Sequence, residues 1–256
     1  MALPKALLCS LGDYPADAEE QMLRKAGFAT GSVSWKSLAK ETNDWMQIGE
    51  ILEDEAIQAW VIAGEPADFT CEIVSCASLL ALSLRRATQP GTAFVQCEEG
   101  TMPVLPPVLQ HVKIYHSLEP FAARLMAARF KPGHKVETAF SLRSILDPHV
   151  GMWLEAGPAD GLVQSDFTVG VLNAEILAFG VGPKGQIPAK SHMAYPVLGV
   201  QGTLGDRKFS ACAAKNEINA QSACYCKIGG IPQGVFLGNY LDEDMQNQDV
   251  QLVRFV

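Results

Sequence analysis

The tetrapeptide Lys131-Pro132-Gly133-His134 separates two stretches of different periodicity. Before it, apolar runs of strand length alternate with helix-length segments. After it come short strands between glycine-rich turns, with no helical pattern, and 14 of the 22 glycines lie from His134 onward. No single layer architecture accommodates both patterns, so the chain is expected to form an α/β domain over residues 1–133 and an all-β domain over residues 134–256. Each part is long enough to bury its own core.

In the first part Lys5–Leu11 is a continuous apolar run ended by Gly12, the pattern of a strand buried on both faces. Asp17–Ala26 leads with acids, carries Met22, Leu23 and Ala26 on one stripe and stops at Gly27, which describes a short helix. Strands at Ala29–Trp35, Ala59–Ala63, Thr92–Gln96 and Val112–Tyr115 follow, with helices within Asn43–Asp54, from Thr70 to Arg86, and from Pro120 to Phe130. Strict alternation predicts a flavodoxin-like, doubly wound parallel sheet.

The second part predicts an antiparallel β-sandwich or barrel. Its strands are expected near Val136–Leu142, Met152–Ala156, Phe167–Leu172, Glu175–Val181, Tyr195–Thr203, Lys208–Ala214, Ala223–Ile228, Val235–Asn239 and Val250–Phe255. In Glu175–Val181 and Tyr195–Val200 both faces carry apolar residues, and such strands need cover on each side. Either the α/β domain or another subunit would supply it, so a homo-oligomer or a tightly packed domain pair is expected.

Composition removes several function classes. The net charge of −8 is shared by both parts, and the only basic cluster, Arg129, Lys131, His134 and Lys135, reads as a helix end running into a solvated linker, so no nucleic-acid partner is expected. The seven cysteines form no C-x-x-C pair, and Cys224 and Cys226 face one side of a strand without a second ligand pair, which argues against zinc. Several lie in apolar runs as reduced thiols. No apolar segment is long enough to span a bilayer, the short run ending at Leu11 is no signal peptide, and a cytoplasmic location is expected.

In doubly wound sheets ligands bind beyond the carboxyl ends of the strands where the strand order reverses. Three loops qualify: Gly12-Asp13-Tyr14-Pro15, Gly64-Glu65-Pro66-Ala67-Asp68 and Cys97-Glu98-Glu99-Gly100. All are acidic, and neither G-x-G-x-x-G nor a P-loop occurs, so dinucleotide and nucleoside-triphosphate cofactors are not expected. The candidate ligand-binding residues are Gly12, Asp13, Tyr14, Gly64, Glu65, Asp68, Cys97 and Glu98. Glu98 and Glu99 oppose a thiolate at Cys97. The pairs Asp147/His149 and Ser191/His192 lie in turn-rich polar stretches and read as loop residues.

Glu72 stands in the first turn of the longest apolar helix, among Ile73, Val74, Leu79 and Leu80. Acids there complement the helix dipole; partly buried, the same group suits general acid or base work. The stretch Trp60–Val95 resembles nucleoside deoxyribosyltransferases and TIR-type domains, although their Asp–Gly–Thr spacing is absent. That resemblance implies a glutamate, here Glu72, acting at an N-glycosidic centre. The sequence therefore supports a small-ligand-binding or assembly protein with its site at the acidic sheet edge, and, as the alternative, an enzyme acting on a nucleoside or sugar through Glu72.

Overall fold

A computed structural model describes residues 3–35, 44–85, 89–96, 104–116, 119–128, 136–159, 161–240 and 250–256. The junction tetrapeptide, the basic cluster around it, Cys97, Glu98, Glu99 and the acidic run Asp242-Glu243-Asp244 lie outside these residues. By internal contacts the chain divides into two compact units, Met1–Leu105 with Leu109–Val136, and Pro106–Val108 with Glu137–Val256.

The first unit runs β1 (Lys5–Leu11), α1 (Asp17–Lys25), β2 (Ala29–Trp35), α2 (Gln47–Leu52), β3 (Ile57–Gly64), α3 (Cys71–Ser83), β4 (Gly91–Gln96), β5 (Lys113–His116) and α4 (Phe121–Ala128). The strands pair in parallel in the order β2-β1-β3-β4-β5. The order reverses between β1 and β3, as a doubly wound sheet requires.

Side-chain alternation splits the apolar residues between two faces. Ala6, Leu8, Ala59, Val61, Ala63, Ala93 and Val95 join Leu23 of α1 and Phe121 and Leu125 of α4 in one core. Leu7, Cys9, Leu11, Trp60, Ile62 and Phe94 point to the opposite face and are also buried. There α3 is buried continuously from Ile73 to Leu82, which explains why it shows no polar stripe.

The second unit consists of β6 (Ser141–Asp147), β7 (Gly151–Gly157), β8 (Gln164–Leu172), β9 (Glu175–Pro183), β10 (Val197–Leu204), β11 (Arg207–Ile218), β12 (Ser222–Gly229), β13 (Gly234–Asn239) and β14 (Val250–Arg254). They form two antiparallel sheets, β6-β7-β12-β9 and β10-β11-β8-β13-β14. The inner faces meet, with the rings of Phe167 and Phe179 edge-on at 6.2 Å across the gap. On the outer face of the five-stranded sheet Gly170 lies opposite Phe236 and Gly202 opposite Phe209. Each ring covers its glycine, and the two rings meet at 5.4 Å and 88°.

One strand differs from expectation. Residues 136–140 are not strand, and β6 extends instead to Asp147. The Asp147 carboxylate accepts the backbone N–H groups of His149 and Val150 at 2.8 and 2.9 Å and turns the chain into β7. The buried Ser144 on the inward side of β6 interrupts the apolar alternation that would have marked this strand. The two-faced strands β9 and β10 are sheet edges, and Leu177, Tyr195 and Leu198 on or beside them are exposed at 59%, 77% and 59%.

Candidate functional site

The carboxyl ends of β1, β2 and β3 enclose a cleft of about 250 Å³ lined by Leu11, Gly12, Trp35, Ala67, Asp68, Thr70, Glu72 and Ile73. It sits where the strand order reverses. The Gly12 N–H donates to the Trp35 carbonyl at 3.2 Å and ties the ends of β1 and β2 together. Gly12 has φ +57°, and a Cβ there would stand 3.5 Å from Asp68 Oδ1. At Gly64 a Cβ would lie 3.0 Å from the Leu11 Cβ and 3.2 Å from Asp68 Oδ2. Both glycines therefore leave room for the Asp68 carboxylate between the two loops.

Asp68 is held in place by a capping box: its Oδ2 accepts the Glu65 N–H at 2.9 Å while the Glu65 carboxylate reaches back to the Asp68 backbone. Thr70 caps α3, its hydroxyl oxygen accepting the Ile73 N–H at 3.3 Å, so its own proton remains available to a ligand. Trp35 is buried, and its indole Nε1–H has no partner among the described residues. The cleft lining thus carries two carboxylates and the Thr70 hydroxyl, with the buried Trp35 beside them, a set that matches hydroxyl or amine groups better than a phosphate.

Of the candidate residues, Gly12, Asp68 and Glu72 line this cleft, and Gly64 shapes it. Asp13 and Glu65 are exposed and outside the lining. Tyr14 turns toward α1, where its hydroxyl donates to Glu19 Oε1 at 2.7 Å and its ring packs on the α1/α4 core. Cys97 and Glu98 lie outside the described residues. Glu72 is exposed rather than partly buried, in the first turn of α3 beside the buried Ile73 and Val74. Its charge acts on Cys76 one turn later, whose thiol burial and then the Glu72 carboxylate push well above its usual value.

Sequence reasoning missed Trp35 as a lining residue and Gln96, outside that lining, as a buried unpartnered amide. Trp35 closes a predicted strand and reads there as core; Gln96 ends β4 with its side-chain amide nitrogen buried and unpartnered. A lone polar residue at a strand's carboxyl end is the only signal that could have marked Gln96. Among the described residues no three His, Cys, Asp or Glu side chains gather as a metal set. A second cleft, of about 360 Å³, opens in the β unit beside Leu162, Val163, Gln164, Asn239 and Gln251, with no titratable residue among its described lining residues.

No family model matches the chain, and no curated protein matches it. Among solved structures, the Francisella novicida lysine decarboxylase LdcF is 14% identical over 49% of this chain, with a TM-score of 0.31. The match covers 17% of that enzyme's length. A likeness at this level carries no argument about activity. Among the described residues no helix is long and apolar enough to cross a membrane.

Proposed function

We propose that this protein binds a small neutral or cationic molecule bearing hydroxyl or amine groups at the β1/β3 crevice of its α/β unit. The carrying observation is the buried, unpartnered Trp35 indole N–H beside a cleft that also holds the Asp68 and Glu72 carboxylates. A buried donor without a partner costs on the order of 1–3 kcal/mol, and a ligand acceptor would recover it. Phosphate groups are disfavoured by the paired carboxylates. Exposed Leu177, Tyr195 and Leu198 favour self-association of the β unit as a second element of the reading. The six free cysteines among the described residues suit a reducing compartment such as the cytoplasm.

The test is a titration with ribose, adenosine and putrescine, read by the Trp35 indole N–H resonance. Saturable movement with one of these, abolished by Asp68→Asn, supports the reading. If none moves that resonance at millimolar concentration, it fails. The enzymatic alternative, with Glu72 acting on a nucleoside or sugar, is favoured by the exposed position of Glu72 in the cleft lining. Glu72→Gln separates the two: unchanged binding together with lost adenosine hydrolysis supports the enzyme, while adenosine untouched by the parent protein excludes hydrolysis of that nucleoside.

A further inference from the structure

The outer face of the four-stranded sheet carries a polar row. The register places Arg143 of β6 opposite Glu155 of β7, and Glu155 opposite Tyr225 of β12. An arginine directly across from a glutamate would ordinarily pair with it. Here it does not. The Glu155 Oε2 accepts from the Tyr225 hydroxyl at 2.9 Å and from the Gly185 N–H at 2.8 Å, and no ion pair joins Glu155 to Arg143. Glu155 is drawn toward the segment after β9, which also donates the Gln186 N–H to Tyr225 Oη at 3.1 Å. Among the described residues Arg143 has no ion-pair partner.

Two donors on this face are buried and unpartnered: Arg143 Nε and Trp153 Nε1. Trp153 lies two residues before Glu155 on β7, so it shares the face and stands diagonally beside Arg143 on the adjacent strand. Opposite Trp153 on its other side is Lys227, whose chain runs along the same face past Gly151; the position of a Gly151 Cβ is 3.8 Å from Lys227 Cε. Two cations and an indole N–H thus share this face with two carboxylates: Glu155, engaged by Tyr225 and Gly185, and Asp147, opposite Gly151 and engaged by the His149 and Val150 N–H groups. Among the described residues neither Arg143 Nε nor Trp153 Nε1 has a protein acceptor.

We infer that the outer face of this sheet binds an oxyanion, a carboxylate or phosphate group, through the Arg143 guanidinium and the Trp153 indole N–H, with Lys227 adding positive field. A planar guanidinium and an adjacent N–H donor suit two oxygens of one anion, and charge-assisted bonds of this kind are the stronger class. This site is separate from the acidic crevice of the α/β unit, whose charge repels such a ligand.

The test uses the full chain and two probes, inorganic phosphate and acetate, at constant ionic strength balanced with chloride. The readout is the indole N–H resonance of Trp153, one of four tryptophans, assigned with Trp153→Phe. Saturable movement of that resonance is expected while the Trp35 resonance stays still, and Arg143→Gln should weaken the apparent affinity on the order of tenfold or more. Arg143→Lys keeps the charge and removes the Nε donor, so it too should bind more weakly; it serves if Arg143→Gln does not fold. The inference is overturned if neither probe moves the Trp153 resonance, if chloride moves it equally, or if the folded Arg143 variant binds as the parent does. Phosphate against acetate then decides which oxyanion the site prefers.

Discussion

Replacing Gly170 with alanine tests the packing on the outer face of the five-stranded sheet. A methyl group there would lie 2.1 Å from Phe236 Cζ and 2.3 Å from its Cε1, whereas carbon atoms in contact sit about 3.5–4.0 Å apart. The ring must withdraw by roughly 1.5 Å to restore that spacing. Overpacking of this kind costs about 1–3 kcal/mol, and losing the edge-on contact with Phe209 adds about 0.5–1.5 kcal/mol. Alanine's lower backbone entropy in the unfolded chain returns about 0.5–1 kcal/mol. The net expectation is a loss of about 2 kcal/mol. Native-state hydrogen exchange of the β8 and β13 amides reads the opening free energy of this sheet without involving the α/β unit. In a Phe236→Val background the added methyl meets no ring, so the cost of Gly170→Ala should vanish. The reasoning is refuted if Gly170→Ala exchanges like the parent, or if its cost is the same with and without the ring.

Three further outcomes are expected. Tyr225→Phe removes the hydroxyl that joins Glu155, the Pro183 carbonyl and Gln186, and should cost about 1–3 kcal/mol; exchange at the Gly185 and Gln186 amides should rise, and unchanged exchange there would contradict it. Thr70→Ala deletes the cap of α3 and should cost about 1 kcal/mol in urea unfolding, with Thr70→Ser close to the parent. Burial pushes the Cys9 and Cys224 thiols from their ordinary value of 9.0 up to about 12. Between pH 9 and 12 the folded protein therefore holds protons on both that the unfolded chain has released, so stability falls as pH rises, by up to about 1.4 kcal/mol per pH unit for each thiol. A stability curve flat across that window would show these thiols to be less buried, and native-state alkylation at pH 8 should favour the exposed Cys71 over both.

Much of the architecture was legible in local pattern. Lys5–Leu11 and Ala29–Trp35 coincide with β1 and β2: the first is a continuous apolar run ended by Gly12, and the second opens just after the helix stop at Gly27. The reversal of strand order at β1/β3, and with it the meeting of Gly12, Asp68 and Glu72, followed from the alternation of strands and helices. Tyr14 belonged to the same loop, yet it packs on α1, because a loop residue can turn to either sheet face and sequence does not say which. β6 was displaced because a buried serine and an aspartate turn carry no apolar signal.

Periodicity and turn residues by themselves determined that this chain makes a parallel α/β unit and an antiparallel β unit, since both signals are local and repeat along the chain. The tertiary structure alone decided which polar groups go without partners. Trp35, Arg143 and Trp153 look like ordinary strand residues until cross-strand register and the covering segments place them. Glu155 illustrates the reason: its register partner is Arg143, but its hydrogen bonds go to Tyr225, 70 residues away, and to Gly185. Satisfaction of a buried polar group depends on distant chain segments meeting, and no local pattern encodes that meeting.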